Sequence, residues 1–248
     1  MAEAAWYNVL WLAWALLCEA LRNNPRGDAT TGLVYHALRI YAFAFHRLRV
    51  AGMEHVPLDR RPGPLVVVCN HTAGIDPILV SAAVPFEIRW MMGRDMMRTD
   101  LRDIWEWLRI IPVNRKGRDF AGVREAIRHL SEGGVIGVFP EGGLERPPRR
   151  LRPFRHGVGF LISRSRARVL PVWITGTPQI DPAWASLRKP SRSRITFGPV
   201  MDFAGRSPEE ITAEIEAWFA RTSGWPRRTE SERPSALPIL KGGDRGVG

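Results

Sequence analysis

Residues 64–77 read PLVVVCNHTAGIDP. An apolar run ends, a histidine follows within two residues, and an aspartate comes five positions later. Histidine has an unperturbed pKa of about 6.5, so it can take up a proton at neutral pH. A carboxylate bonded to one imidazole nitrogen fixes the tautomer and leaves the other nitrogen as a base. No Ser or Cys in the motif is placed as a nucleophile; Thr72 adjoins the histidine and is not assigned that role. His71 and Asp76 therefore read as a general base and its orienting partner, acting on a substrate hydroxyl. Asp76 precedes Pro77, so it also reads as a helix N-cap with Pro at the first helical position. One carboxylate has lone pairs enough for both duties.

These residues need a scaffold that places strand ends side by side. PLVVVC reads as a buried strand, and a helix over IDPILVSAAV follows. Further strands are expected at 87–92, 110–113, 135–139, 169–174 and 194–201. Helices are expected at 100–110, from Phe120 to a stop at Gly133-Gly134, and over 207–222 behind Ser207-Pro208-Glu209-Glu210. Alternation of this kind predicts an α/β fold: a mixed, largely parallel sheet flanked by helices. Open sheets of this class bind ligands beyond the carboxyl ends of their strands. His71, Glu141 and the segment Pro112–Arg115 each follow a strand and are expected to converge there.

The chain has 248 residues, 36 Lys+Arg against 25 Asp+Glu, and a formal charge of +11. Such a surface favours anions, including phosphate groups and an acidic membrane leaflet. A nucleic-acid partner is not expected, because no helix-turn-helix, zinc knuckle or aromatic stacking signature accompanies the arginines. Two cysteines, Cys18 and Cys69, lie in apolar segments and imply neither a disulfide framework nor a metal site. The N-terminus lacks the basic start and clear cleavage site of a secretory signal. Its apolar run from Ala4 to Leu17 carries Trp6, Trp11 and Trp14. As a helix of about 20 Å it is too short to span a bilayer, so it reads either as dipping into one leaflet or as an ordinary buried helix. A second helix is expected from the stripe Leu38, Tyr41, Phe45 and Leu48, with Arg39, His46, Arg47 and Arg49 as a basic flank. The expected organisation is N-terminal membrane-associated helices over 1–49, a catalytic domain over 50–223, and a polar, disordered tail over 224–248.

Asn70-His71-x4-Asp76 resembles the NHx4D motif of the glycerolipid acyltransferases, in particular the 1-acylglycerol-3-phosphate branch. Three further blocks follow in order. Ile111–Arg115 is similar to the second motif, Phe139-Pro140-Glu141-Gly142 to the third (FPEGTR), and Val169-Leu170-Pro171-Val172 to the fourth. The resemblance covers residues 64–175. It implies transfer of a fatty acyl group from acyl-CoA or an acyl carrier protein to a lysophospholipid hydroxyl, with no permanently bound cofactor and no acyl-enzyme. It implies His71 as base, Asp76 as orienter and Arg115 as phosphate contact. Asn70, Glu141, Gly142, Gly143 and Pro171 would shape the acceptor site. The implied location is monotopic, on the cytoplasmic face of the membrane. The third block departs from the pattern: Gly143 and Leu144 replace its Thr and Arg. Arg146, Arg149 or Arg150 would then supply the missing cation. Phe154-Arg155-His156-Gly157 resembles the family's F-K-x-G stretch, with Arg155 either a further anion contact or a solvated charge. The departure keeps two alternatives open: a different lysolipid or aminolipid acceptor, or a catalytically silent protein that binds anionic lipid. Trp90, Met91, Met92, Met96 and Met97 suit either an acyl channel or ordinary core and lipid contact.

Overall fold

The computed structural model describes residues 2–114, 120–146 and 148–226. Its centre is a seven-stranded sheet in the order β1-β7-β6-β2-β5-β3-β4. The strands are β1 (Arg49–Ala51), β2 (Leu65–Cys69), β3 (Arg89–Gly93), β4 (Ile111–Val113), β5 (Val135–Val138), β6 (Arg168–Thr175) and β7 (Arg194–Phe197). Every pairing is parallel except β6 with β7, so β1 and β7 run against the other five. The mixed, largely parallel sheet expected from the sequence is the sheet observed.

β2 is buried along its whole length, as a strand covered on both faces must be. Alternate side chains serve opposite layers. Leu65, Val67 and Cys69 join the layer containing Leu79 and Val80 of α3 (Asp76–Ala83). Val66 and Val68 join the layer built from α5 (Ala121–Ser131), α6 (Gly157–Ser165) and α7 (Pro208–Ser223). The predicted capping box of α7 is formed, with Ser207 and Glu210 each accepting from the other's backbone N–H. α5 stops at Gly133, whose φ of 78° closes the helix in the left-handed region.

Five local readings are corrected. α6 was not anticipated. It packs so tightly on α7 that a Cβ at Gly159 would stand 1.9 Å from the Pro208 carbonyl oxygen. Residues 100–110 form a shorter helix, α4 (Arg102–Trp107). The second N-terminal helix, α2 (Ala29–Ile40), starts earlier and passes into a π-helical turn, Tyr41–Phe45, so Leu48 lies beyond it. His46 belongs to no basic flank: it is buried, bonded to Ser191 Oγ (2.7 Å) and the Tyr41 hydroxyl (2.9 Å), and burial lowers its pKa. Finally, the first residues of the expected tail are anchored. Pro226 accepts from the Leu151 N–H, and Trp225 meets Trp173 edge-on at 4.6 Å. The rest of that tail lies outside the described residues.

α1 runs from Ala2 to Arg22, 21 residues rather than the shorter run expected. Trp6, Trp11 and Trp14 are 69%, 71% and 59% exposed, which rules out the buried-helix reading within this chain. No described helix is long and apolar enough to cross a membrane.

Candidate active site

β2 delivers the motif, and Asn70 fixes where the strand stops. Its amide donates to the Ile174 carbonyl (2.9 Å) and accepts from the Ile174 N–H (2.7 Å), replacing a backbone partner on β6. Asn70 is buried and its amide is engaged on both ends. It therefore locks β2 to β6, and it does not line the cavity beside His71.

Beyond Asn70 the chain turns, and the turn is organised around Asp76. The Asp76 carboxylate is fully buried. It accepts from the backbone N–H groups of Thr72 (2.7 Å) and Ala73 (2.8 Å) and from the Thr72 hydroxyl (3.1 Å). Such donors offset the cost of burying a charge. Ile75, not Asp76, is the N-cap of α3, with Pro77 one place further in than expected. The carboxylate closes the loop behind it instead of capping the helix ahead. Its remaining bond goes to His71 Nδ1, at 3.0 Å. A carboxylate there makes Nδ1–H the donor, so Nε2 carries the free lone pair.

The imidazole is held on two other sides. Its ring stacks on Phe139 (4.0 Å between centroids, 19° between planes), and Phe139 stacks on Trp90 (5.0 Å). Its backbone N–H donates to Glu141 Oε1 (3.0 Å), and its carbonyl accepts from the Glu145 N–H (2.6 Å). Glu141 is thus a buried support for the histidine's backbone. Its other oxygen, Oε2, is buried without a hydrogen-bond partner. Burial pushes its carboxyl up to about 8, and the charge of Glu145 adds to the rise. The His71 N–H and the nearby Arg152 oppose it. Glu145, unremarked in the sequence, is also buried. Its carboxyl is raised to about 7 by desolvation, against donation from the Arg150 and Arg149 backbone.

His71 opens on a cavity of about 340 Å³. Its walls include Trp90, Met91, Met92, Met96, Val123 and Leu161, so three of the methionines weighed for an acyl channel line it. Asn114, at the end of β4, lines it too. Arg115 follows Asn114 but lies outside the described residues. Pro171 is not at the cavity: it sits in β6 opposite Val68 and accepts from the Gly198 N–H.

The sequence matches the family model described as Acyltransferase over residues 47–175. The chain belongs to the acyltransferase family. It is 34% identical over 167 residues to an uncharacterised protein of Mycobacterium tuberculosis, a match covering 61% of this chain and 44% of that protein. The chain thus spans less than half the length of that relative. It is 22% identical over 188 residues to the 1-acyl-sn-glycerol-3-phosphate acyltransferase of Bacillus subtilis, covering 73% and 89% of the two chains. The crystal structure of the 1-acyl-sn-glycerophosphate acyltransferase PlsC from Thermotoga maritima shares the fold. The TM-score is 0.64 at 23% identity, covering 79% and 82% of the chains.

In this acyltransferase chain Arg146, Arg149 and Arg150, expected to stand in for the third motif's missing arginine, do not line the cavity. Arg146 is turned inward. It donates to the Thr72 carbonyl (3.1 Å), the Glu145 carbonyl (2.7 Å) and the Ile180 carbonyl (3.3 Å), and pairs with Asp181. It ties the histidine loop to the 180–181 segment. Arg149 is exposed, at a φ of 63°, and does not line the cavity. Arg150 contributes its backbone N–H to Glu145. Among the described residues, the arginine that lines the cavity is Arg155. It crosses the Gly142-Gly143 turn so closely that a Cβ at Gly142 would be 2.2 Å from its Nε. Gly142 also has a φ of 68°, a backbone conformation that favours glycine, and its missing side chain leaves room for Arg155. Both glycines line the cavity.

Proposed function

We propose that the chain moves a fatty acyl group from an acyl thioester, acyl-CoA or an acyl carrier protein, to the hydroxyl of a lysophosphatidic-acid-type acceptor. The observation that carries this reading is the buried Asp76 bonded to His71 at the mouth of an apolar cavity with Arg155 in its wall. His71 Nε2 takes the proton of the acceptor hydroxyl. The oxygen attacks the thioester carbonyl, the C–S bond breaks, and the thiolate takes the proton back from the imidazolium. Asp76 holds the ring in the tautomer this needs and stabilises it when charged, as does the face of Phe139. A positioned base of this kind is worth about 10²–10⁴-fold.

Arginine's planar fork suits a phosphate, so Arg155 is the proposed headgroup contact, joined by Arg115. The donor's chain occupies the methionine-lined cavity. α1 lies in the headgroup layer through Trp6, Trp11 and Trp14, on an anionic leaflet drawn to the arginine-rich surface. Loss of Thr and Arg from the third motif favours a second reading, the same chemistry on another lysolipid.

Detergent-purified chain, incubated with labelled acyl-CoA or acyl carrier protein and a panel of lysolipids, separates these. Transfer to lysophosphatidic acid is expected, abolished in His71→Ala without loss of vesicle binding. Arg155→Ala should raise KM for that acceptor by about tenfold or more, the worth of a charge-assisted contact. Transfer to a phosphate-free lysolipid alone would establish the second reading. Undiminished turnover by His71→Ala would end the general-base assignment.

A further inference from the structure

A second apolar cavity, about 190 Å³, lies between α2, α3 and α4. His71 is not among its lining residues. The two cavities share five wall residues, Gly74, Pro77, Trp90, Met92 and Trp184, so one partition separates them. Among the described residues, the charged side chains lining the second are Arg26 and Glu87, which pair at 2.6 Å, with Glu87 also meeting Arg109 at 3.3 Å. Arg26 is further held by the Trp107 carbonyl (2.8 Å) and lies 4.9 Å over the Trp107 ring. The chamber therefore suits an uncharged chain and offers no site for a headgroup.

α2 gives the chamber its outer wall. Thr31, Val34, Tyr35 and Leu38 face inward at helical spacing. On the opposite side of the same helix Leu33 and Ile40 are 64% and 69% exposed, continuing the apolar surface of α1. One helix thus divides an outward apolar face from the chamber, and a lipid leaving a bilayer at that face arrives beside it.

We propose that this chamber holds the acyl chain already present on the acceptor lipid. The inference rests on the proposed function, and the stoichiometry of that reaction supports it. Two acyl chains must be accommodated while the bond forms. The chain being transferred starts at the carbonyl under attack, so it must enter the cavity that His71 lines. The acceptor's own chain hangs from a different carbon of the glycerol, several bonds from the reacting hydroxyl. The chamber that His71 does not touch, which shares five wall residues with the first cavity, is the space adjacent to the site for it. The acceptor then lies across the site, phosphate at Arg155, hydroxyl at His71, tail behind Trp184.

Val34→Trp fills the chamber from its wall and leaves the catalytic residues alone. With palmitoyl-lysophosphatidic acid, kcat/KM should fall about tenfold or more, the worth of about two excluded methylenes. With the hexanoyl homologue it should hold, and the preferred donor chain length should not change. A shortened donor preference would assign the chamber to the donor and overturn the proposal. So would equal losses for both acceptors in a variant with unchanged thermal stability. Binding keeps the test independent of turnover. Radiolabelled palmitoyl-lysophosphatidic acid should bind His71→Ala about tenfold more tightly than it binds the same chain with Val34→Trp added. Equal affinities would overturn the chamber assignment, whereas absence of turnover in the parent with this difference intact would overturn only the proposed function.

Discussion

Glu141→Gln should flatten the pH dependence of stability without dismantling the site. Glutamine keeps the Oε1 that accepts the His71 N–H. It removes a carboxyl that burial holds protonated to about 8, against an ordinary value of 4.5. Between these values the folded chain binds a proton that the unfolded chain has released. The group's contribution is therefore complete below about pH 4.5, declines as pH rises, and levels off beyond about 8. At about 1.4 kcal/mol per unit, the parent should lose about 3 kcal/mol relative to Glu141→Gln between pH 5 and pH 7.5. That corresponds to a relative shift of about 1 M or more in the urea midpoint for an ordinary denaturant slope. Glu145 declines in the same direction up to about 7, but it is present in both proteins and cancels in the difference. Urea unfolding in one detergent, with parent and variant at both pH values, reads the effect directly. Turnover at pH 7 should stay within about tenfold, because a neutral amide replaces a neutral acid and the histidine's backbone keeps its acceptor. Parallel pH profiles for the two proteins would refute the reasoning, since they would mean that Glu141 ionises in the fold as it does in the unfolded chain.

Asn70→Leu should destabilise the chain by about 2–5 kcal/mol, leaving the Ile174 N–H and carbonyl buried without partners. Calorimetry measures this, and the same loss in Asn70→Asp would show that the amide donor matters as well as the shape. Gly159→Ala should cost about 1–3 kcal/mol in thermal unfolding by forcing α6 off the Pro208 carbonyl, and an unchanged melting temperature would deny that close approach.

The parts of the molecule that were legible in advance share one property: each depends on residues close in sequence. LVVVC is apolar without a break and β-branched at three positions, which reads as a strand covered on both faces. Ser207-Pro208-Glu209-Glu210 holds a complete helix start within four residues. The pairing of His71 with Asp76 spans five positions and was readable, but the carboxylate's other bonds were not. An Asp-Pro helix start gives no hint that the carboxylate reaches back to Thr72 and Ala73. α6 was hidden because Gly157 and Gly159 are poor helix formers, and because the reason for Gly159 lies in α7, about fifty residues away. The structural roles of Asn70 and Pro171 were hidden in the same way. Their partners, Ile174 and Val68, are set by strand pairing across the sheet.

The altered third motif shows how a departure in sequence reads differently in space. With glycine at 143, a Cβ would be only 2.8 Å from an Arg152 guanidinium nitrogen, which donates to the Leu144 carbonyl. A threonine there would displace that side chain. Gly142 in turn admits Arg155, whose backbone N–H is fixed on the Pro140 carbonyl of the same turn. Two small residues thus bring two arginines from the 152–155 segment onto the turn that supports His71. Leu144, where the motif has its arginine, and Arg155 line the same cavity. A comparison confined to the motif would count a lost arginine. Arg155 lies against Gly142 and lines the cavity, whereas Arg146 and Arg149 do not, so removal of Arg155 is the change expected under the proposed function to weaken a phosphate-bearing acceptor.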